Sequence, residues 1–143
     1  MYKRQPQPLA RPAVDRLEII ADTYLSLSSP TQWAFPTLFS QRDELQPQIM
    51  ERVRGNWAFL KTEAGAASCC ELLDMEGGWY AILRTQRDEP DEDLAIEILR
   101  EAGVLIHPGH FYDFPADGCI VLSLITPVEA WRCGVHKLLN YLK

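Results

Sequence analysis

Residues 119–125 form a run without charged side chains, and a helical pattern follows it directly. Such a run is typical of a strand buried within a sheet. Thr126, Pro127 and Glu129 then predict a helix start, because they supply an N-cap, a first-turn proline and a capping-box acid. The residues after them place one apolar stripe along the helix, formed by Val128, Trp131, Val135, Leu138, Leu139 and Leu142. A buried strand joined to a one-sided helix predicts a sheet covered by helices.

A β-hairpin is predicted upstream of this strand. Cys70–Asp74 and Trp79–Thr85 are strand-like runs, and residues 75–78 between them end in a glycine pair. Glycine adopts the positive φ of a tight turn without steric cost, so the two runs are expected to pair antiparallel.

A second well-marked helix lies between the hairpin and the buried strand. Acidic residues and a first-turn proline, Pro90, mark its start, and Gly103 marks its end. Val104–Ile106 is predicted to be a short strand, and residues 107–117 an aromatic-rich loop. The apolar face of the helix contains Leu94, Ile98, Leu99 and Ala102.

The N-terminal part of the chain predicts helices interrupted by prolines. Residues 1–12 lack an apolar period and predict a disordered tail or a non-native leader. Helical spacing of apolar residues begins at Val14 and predicts a helix that ends near Leu25. Pro36 is expected to prevent one long regular helix in the stretch that follows. Ser40 is the predicted N-cap of the longest helix, whose apolar face is Leu45, Ile49, Val53, Trp57 and Leu60.

This order of elements predicts an α+β fold, with a small mixed or antiparallel sheet covered by helices. The length of 143 residues is that of one domain. We expect this domain to occupy residues 13–143, with the helices of residues 14–60 leading into the sheet.

Composition argues against several classes of partner. The chain has 20 acidic and 14 basic residues, and this net charge of -6 gives no basic surface for nucleic acid. Its apolar runs are too short to cross a membrane, and no apolar stretch of a secretory signal follows Lys3 and Arg4. A cytoplasmic location is therefore expected. The four cysteines form no C-x-x-C pair and are expected to be buried, reduced thiols.

The predicted loop of residues 107–117 holds the residues best suited to bind a ligand or a metal ion. His107, His110 and Asp113 are possible zinc ligands, but a turn separates the histidines and no fourth ligand lies near in sequence. No metal site is therefore expected. Phe111 and Phe114 either contact a ligand or pack into the core, and the sequence leaves both readings open.

Several segments resemble one known enzyme family. They are Val14–Pro30 followed by Gln32 and Ala34, Glu71–Ala81, Glu101–Gly109, and Leu122–Leu124 with the final helix. Together these segments resemble the C-terminal, small-domain portion of class I/II, fold type I, pyridoxal-phosphate-dependent aminotransferases, over nearly the whole chain. The resemblance implies the α+β small domain of those enzymes.

The resemblance also implies a chemistry. The complete enzyme binds pyridoxal 5'-phosphate as a Schiff base to a lysine, and transfers an amino group between an amino acid and a 2-oxo acid. It is expected to be a homodimer. The family's lysine lies in a serine-lysine motif upstream of the segment matching Val14, so this chain alone is expected to be inactive and to bind no cofactor.

Five residues are assigned to binding by the resemblance. Ser28 and Ser29 are expected near the cofactor phosphate across the dimer interface, and Tyr24, His110 and Phe111 are expected in the substrate pocket. No catalytic residue and no metal ligand are expected in this chain.

One position departs from the family pattern. Many members carry an arginine for the substrate carboxylate in the strand before the last helix, and Val121 occupies that place here. Another group, such as Arg84 or one outside this chain, then holds the carboxylate, or the substrate is unusual. The alternative function is a free-standing, non-catalytic binding or interaction module that uses the loop of residues 107–114.

Overall fold

The computed structural model of the chain describes residues 7–24, 27–87 and 89–143. Within these ranges the helices are α1 (Gln7–Tyr24), α2 (Ser29–Ser40), α3 (Arg42–Gly65), α4 (Asp91–Ala102) and α5 (Val128–Leu142). The strands are β1 (Cys70–Leu72), β2 (Tyr80–Thr85), β3 (His107–Pro108) and β4 (Cys119–Ser123), and a short 3₁₀ helix covers Gly109–Tyr112. None of the described helices combines the length and the hydropathy needed to cross a bilayer.

The chain divides into two compact units, residues 1–44 and residues 45–143. In the first unit, α1 begins at Gln7, inside the segment predicted to be a tail, and Pro12 lies within the helix. α2 is helical through Pro36, so the expected interruption at this proline is wrong. Proline has no backbone N–H, so Pro36 removes one hydrogen bond from α2. The twelve-residue helix forms despite this loss. The large apolar side chains of both helices are mostly exposed.

The junction between α2 and α3 differs from the prediction. Ser40 is the last residue of α2, and its hydroxyl donates to the Thr37 carbonyl oxygen at 2.7 Å. A single residue, Gln41, separates the two helices. Ser40 is therefore not the N-cap of α3, because its side chain closes the preceding helix instead.

The sheet of the second unit has the strand order β1-β2-β4-β3, and each adjacent pair is antiparallel. This confirms the predicted hairpin and the α+β class, with antiparallel pairing. Gly78 has a φ of 78° in the hairpin turn, a backbone conformation that glycine adopts without steric cost. Val104–Ile106 is not a strand, since pairing begins at His107.

The core lies between one face of this sheet and helices α3, α4 and α5. Helix α5 buries its predicted stripe from Trp131 onwards, while Val128 is exposed. α4 ends at Gly103 with a φ of 65°, which confirms the predicted stop. On α3 the predicted apolar face is only partly correct, because Leu45 and Ile49 are exposed. The core residues are Val53, Leu60, Ala64, Ala81, Leu83, Leu94, Ile98, Ile106, Ile120, Leu122, Leu124, Trp131, Val135, Leu138, Leu139 and Leu142.

Two further sequence-based assignments need correction. Thr126 does not cap α5, because its hydroxyl donates back to the Ser123 carbonyl oxygen at 2.8 Å and Pro127 occupies the N-cap position. Pro90 likewise precedes the first helical residue of α4 and does not lie within its first turn. Cys133 is exposed, so the expectation of buried thiols fails there, while Cys119 is buried.

A buried amide joins α3 to the connection between β4 and α5. The Asn56 side chain is 1% exposed, and its Nδ2 donates to the carbonyl oxygens of Leu124 and Thr126, each at 2.8 Å. The Trp131 indole N–H donates to the Asn56 backbone carbonyl oxygen at 3.0 Å. These bonds satisfy backbone groups where the sheet strand ends and before the last helix begins.

We expect Asn56→Ala to destabilise the fold by about 2–3 kcal/mol, because two backbone carbonyls lose their donor. Chemical denaturation followed by far-UV circular dichroism measures this loss. Asn140→Ala is the matched control, since Asn140 is exposed and accepts only a weak 3.4 Å contact from Lys143. Equal midpoints for the two variants would contradict the role given to Asn56.

Candidate functional site

The sheet has a second face, opposite the core. Side chains of directly paired residues in an antiparallel sheet lie on the same face. The Ala81–Leu122 and Leu83–Ile120 pairs define the core face. The register therefore places on the second face Glu71, Tyr80, Ile82, Arg84, His107, Cys119, Val121 and Ser123.

A chain of contacting aromatic rings borders this second face. We call it the ring cluster, and it consists of Trp79, Tyr80, Tyr112, His107, Phe111 and His110. Successive ring centroids in that order lie 6.4, 5.5, 6.1, 6.3 and 4.7 Å apart. These are separations at which aromatic rings attract one another. Most of the rings are also open to solvent, with Phe111 at 65% exposure.

Tyr112 links the two sides of the ring cluster. Its hydroxyl lies 2.8 Å from Nδ1 of His107, and its ring packs edge-on against Tyr80. Because β4 lies between β2 and β3, a ring that touches both Tyr80 and His107 crosses over β4. Partial burial, and after it a hydrogen bond with Tyr80, raise the pKa of Tyr112 above its usual value of 10.0. The phenol therefore keeps its proton at neutral pH.

Val121 lies in the part of β4 that this arrangement covers. It pairs with Ile82 on one side and His107 on the other, and it is only 3% exposed. An aliphatic side chain in this position offers no donor to a carboxylate. The nearest guanidinium on the same face is that of Arg84, whose strand partner Cys119 is two residues from Val121.

Arg84 makes one ion pair on the surface. Its Nη1 lies 3.1 Å from Oε2 of Glu71, directly across the hairpin, with side-chain exposures of 54% and 65%. Pairs this exposed contribute little to stability, because water screens them. The guanidinium therefore remains accessible to another anion.

A buried carboxylate fixes the loop that carries half of the ring cluster. Asp91 is the first residue of α4, and its Oδ1 accepts hydrogen bonds from the backbone N–H groups of Gly118 and Cys119. At the other end of the loop, a Cβ added to Gly109 would lie 2.7 Å from Oδ2 of Asp91 and 2.8 Å from the Cβ of Cys119. Both ends of the loop thus pack against one side chain. Thr85 reinforces the end of the loop at Gly118, because its backbone N–H donates to the Gly118 carbonyl oxygen at 2.7 Å.

The structure places the predicted site residues in both units. His110 and Phe111 lie together in the second unit with exposed rings, so Phe111 does not pack into the core. In the first unit, Tyr24 ends α1 and is exposed, and Ser29 begins α2. The Ser28 hydroxyl lies 2.9 Å from that of Thr31.

The ring cluster contains two residues that the sequence did not assign to a binding site, Trp79 and Tyr80, whereas His107 and Tyr112 lie in the loop of residues 107–114 that the alternative function uses. The signal that could have found Trp79 and Tyr80 is their position at the start of β2, next to the glycine pair. The described residues contain no group of three or more metal-ligating side chains in reach of one another. Nδ1 of His107 is engaged by Tyr112.

Two of the described lysines line cavities, and Lys143 borders a small one of about 110 Å³ with Glu63 and His136. Lys137 borders a space of about 380 Å³ between α5 and residues 103–105, together with Ser123 and Thr126. Arginine, aspartate and glutamate are absent from its lining. The ring nitrogen of pyridoxal phosphate is usually paired with a carboxylate or a guanidinium, and this lining offers neither, so the residues of this cavity do not fit the cofactor.

Comparison with known proteins gives matches in structure only. Neither a protein-family profile nor a curated protein matches the sequence. A pyridoxal-phosphate (PLP)-dependent aminotransferase from Streptococcus suis superposes with a TM-score of 0.76 at 20% identity, over 90% of this chain and 34% of that chain. The chain has the fold of part of a PLP-dependent aminotransferase. The resemblance inferred from sequence is therefore confirmed at the level of fold.

Two other structures extend this match. Alanine aminotransferase from Pyrococcus furiosus has a TM-score of 0.72 at 16% identity, over 97% of this chain and 35% of that chain. The PLP-dependent cyclase OrfR has a TM-score of 0.73 at 25% identity, over 86% of this chain and 34% of that chain. The chain thus spans about a third of the length of the proteins it matches.

We expect Gly109→Ala to destabilise the loop end held by Asp91, because the new methyl group has no room beside Asp91 and Cys119. The expected loss is about 1–3 kcal/mol in chemical denaturation, with faster amide exchange at Gly118 and Cys119. Gly77→Ala is the control, since its Cβ would meet nothing within 4 Å. Unchanged exchange in Gly109→Ala would show that Asp91 does not fix this loop.

Proposed function

We propose that this chain is the C-terminal, small-domain part of a class I/II PLP-dependent aminotransferase, and that it forms one wall of the substrate cleft. The observation that carries the proposal is the match of 90% of the chain to about a third of an aminotransferase chain. The complete enzyme transfers an amino group between an amino acid and a 2-oxo acid. When bound, PLP supplies the electron sink for that transfer.

The chain by itself is not catalytic in this proposal. Three of its lysines lie within the described residues, and their surroundings support this view. Lys61 is exposed on α3, Lys137 lines a cavity without a carboxylate for the pyridine nitrogen, and Lys143 contacts Asn140 at 3.4 Å. The Schiff-base lysine and most of the phosphate ligands then belong to the part of the enzyme that this chain does not span.

The exposed apolar side chains of α1 and α2 support the proposal that this chain is part of a larger protein. Clustered apolar groups of this size usually meet another protein surface. Residues 13–143 form the small-domain part, and the helices of residues 14–60 connect it to the remainder of a homodimeric enzyme. The exposed apolar residues concerned are Leu17, Ile20, Trp33, Phe35, Leu38 and Phe39. The free cysteines agree with a cytoplasmic location.

The binding roles follow from position. Ser28 and Ser29 open α2, where backbone N–H groups favour an anion, and this supports their assignment near the cofactor phosphate across the dimer interface. Tyr24 precedes them at the end of α1 and contributes to the substrate pocket. His110 and Phe111 face the substrate side chain, in agreement with their exposed rings.

A second candidate function is a free-standing, non-catalytic module that binds a ligand through the ring cluster. The observation that favours it is the complete core of the second unit, which supports the exposed rings without residues 1–44. The two functions differ in whether a PLP-binding polypeptide accompanies the chain.

The first test concerns the coding sequence around this chain. We expect an adjoining open reading frame that encodes about twice the length of this chain and contains a serine-lysine motif. Sequencing of the genomic region and of the transcript reads it directly. A region with no such segment, in frame or in a neighbouring gene, would reject the aminotransferase proposal and favour the binding module.

The second test uses the purified chain and PLP. We expect no stable internal aldimine after gel filtration, because no described lysine has a site that fits the cofactor. Absorbance spectroscopy detects such an adduct, and mass spectrometry after borohydride reduction locates it. A stoichiometric band that disappears when one lysine is changed to alanine would overturn the assignment of a chain without a catalytic centre.

A further inference from the structure

The second face of the sheet has one strong cation and one aromatic border. Among the residues that the strand register places on this face, Arg84 alone is an arginine or a lysine. Tyr80 lies four residues away on the same strand and face, a spacing of about 13 Å between Cα atoms. Half-buried Ile82 lies between them and forms an apolar floor.

We infer that this face binds an aromatic monocarboxylate, an amino acid or 2-oxo acid with a planar ring, whose carboxylate contacts Arg84 and whose ring packs on Tyr80 and Tyr112. The inference rests on the proposed function, because it names the substrate class of that cleft wall. It also assigns the carboxylate anchor to β2, in place of the Val121 position on β4.

Arg84 has the donors for this role. Its single 3.1 Å contact with Glu71 uses one nitrogen, and both side chains are more than half exposed. A guanidinium has five N–H donors in a planar fork, so it can donate to a second carboxylate beside the first. Val121 cannot compete for the ligand, because it has no polar atom and is covered.

The rings set the preference for the other end of the ligand. Tyr80 and Tyr112 meet at an interplanar angle of 60°, with centroids 5.5 Å apart, and form an open corner. Trp79 precedes Tyr80 in sequence, its ring contacts that of Tyr80, and it is also exposed. A planar apolar ring packs on such surfaces, and it gains more than a methyl group because it buries more area.

Glu71 excludes a further class of ligand. Its carboxylate lies beside Arg84 on the same face, so a second negative charge on the ligand would be repelled. Aspartate and its 2-oxo acid are therefore disfavoured relative to a monocarboxylate with a neutral ring.

The test is a titration of the full chain, labelled with 15N, followed by NMR. The probes are L-phenylalanine and phenylpyruvate. Pyruvate lacks the ring, phenethylamine lacks the carboxylate, and L-aspartate carries a second carboxylate. We expect saturable shifts of the Arg84 and Tyr112 amides with the first two probes, and at least about fivefold weaker binding of the other three.

Variants separate the two ends of the ligand. Arg84→Gln is expected to weaken phenylpyruvate binding about five- to tenfold, with partial recovery in Arg84→Lys. Glu71→Gln is expected to strengthen it, because the competing carboxylate is removed. Tyr112→Ala is expected to weaken the binding of phenylpyruvate but not that of pyruvate. Arg100→Gln is the matched control, since Arg100 is exposed on α4 away from this face. Circular dichroism checks the fold of each variant.

The inference is wrong if aspartate binds as well as phenylalanine, if Arg84→Gln leaves the affinity unchanged, or if no probe gives a saturable shift. These outcomes leave the proposed function open to its own test. Arg84-dependent binding by a chain whose genomic region encodes no PLP-binding segment would retain this inference and reject the aminotransferase.

Discussion

Strand β4 is held at both of its ends by a buried polar side chain from a helix. At its start, the Asp91 carboxylate accepts the backbone N–H groups of Gly118 and Cys119. Beyond its end, the Asn56 amide donates to two backbone carbonyls. Buried backbone groups without partners are costly, so these two side chains fix where the strand begins and ends. The sheet register and the start of α5 depend on that position.

The fixed register of β4 decides what each face of the sheet presents. Its even-numbered residues, such as Ile120, enter the core, and its odd-numbered residues, such as Val121, face the ring cluster. A shift of one residue would exchange the two sets. The ring cluster depends on the same anchor, because Asp91 also packs against Gly109, at the start of the turn that carries Tyr112. The buried carboxylate of Asp91 thus positions both the ring cluster and strand β4 beneath it.

In the proposed enzyme, substrate binding and the reactive centre are divided between this chain and the remainder of the enzyme. This chain offers rings, a guanidinium and an apolar floor, which in the proposed enzyme would bind and orient the substrate. Its described lysines lack the surroundings of a PLP site. A binding wall built on a rigid sheet, with the reactive centre elsewhere, fits an enzyme in which one part closes on a substrate held by another.

The sequence by itself determined the elements whose signals are local. The glycine pair fixed the hairpin turn, Gly103 fixed the end of α4, and the stripe of α5 fixed its buried side, because each depends on backbone freedom or on helical period. The family resemblance gave the fold and the candidates His110 and Phe111, whose roles stay predictions. Sequence cues failed at Ser40 and Thr126, where a hydroxyl bonds backward to a carbonyl within its own turn.

Only the tertiary structure decided the features that join residues distant in sequence. Asp91 reads as an ordinary helix-start acid, and its contact with Gly118 spans 27 residues. Asn56 is not part of the apolar face that the sequence predicts for α3, yet it is buried against a carbonyl 68 residues away. The meeting of Tyr80 with Tyr112 likewise depends on strand order. Such contacts arise when the sheet and helices close around one core, and no local pattern encodes which polar groups that closure buries.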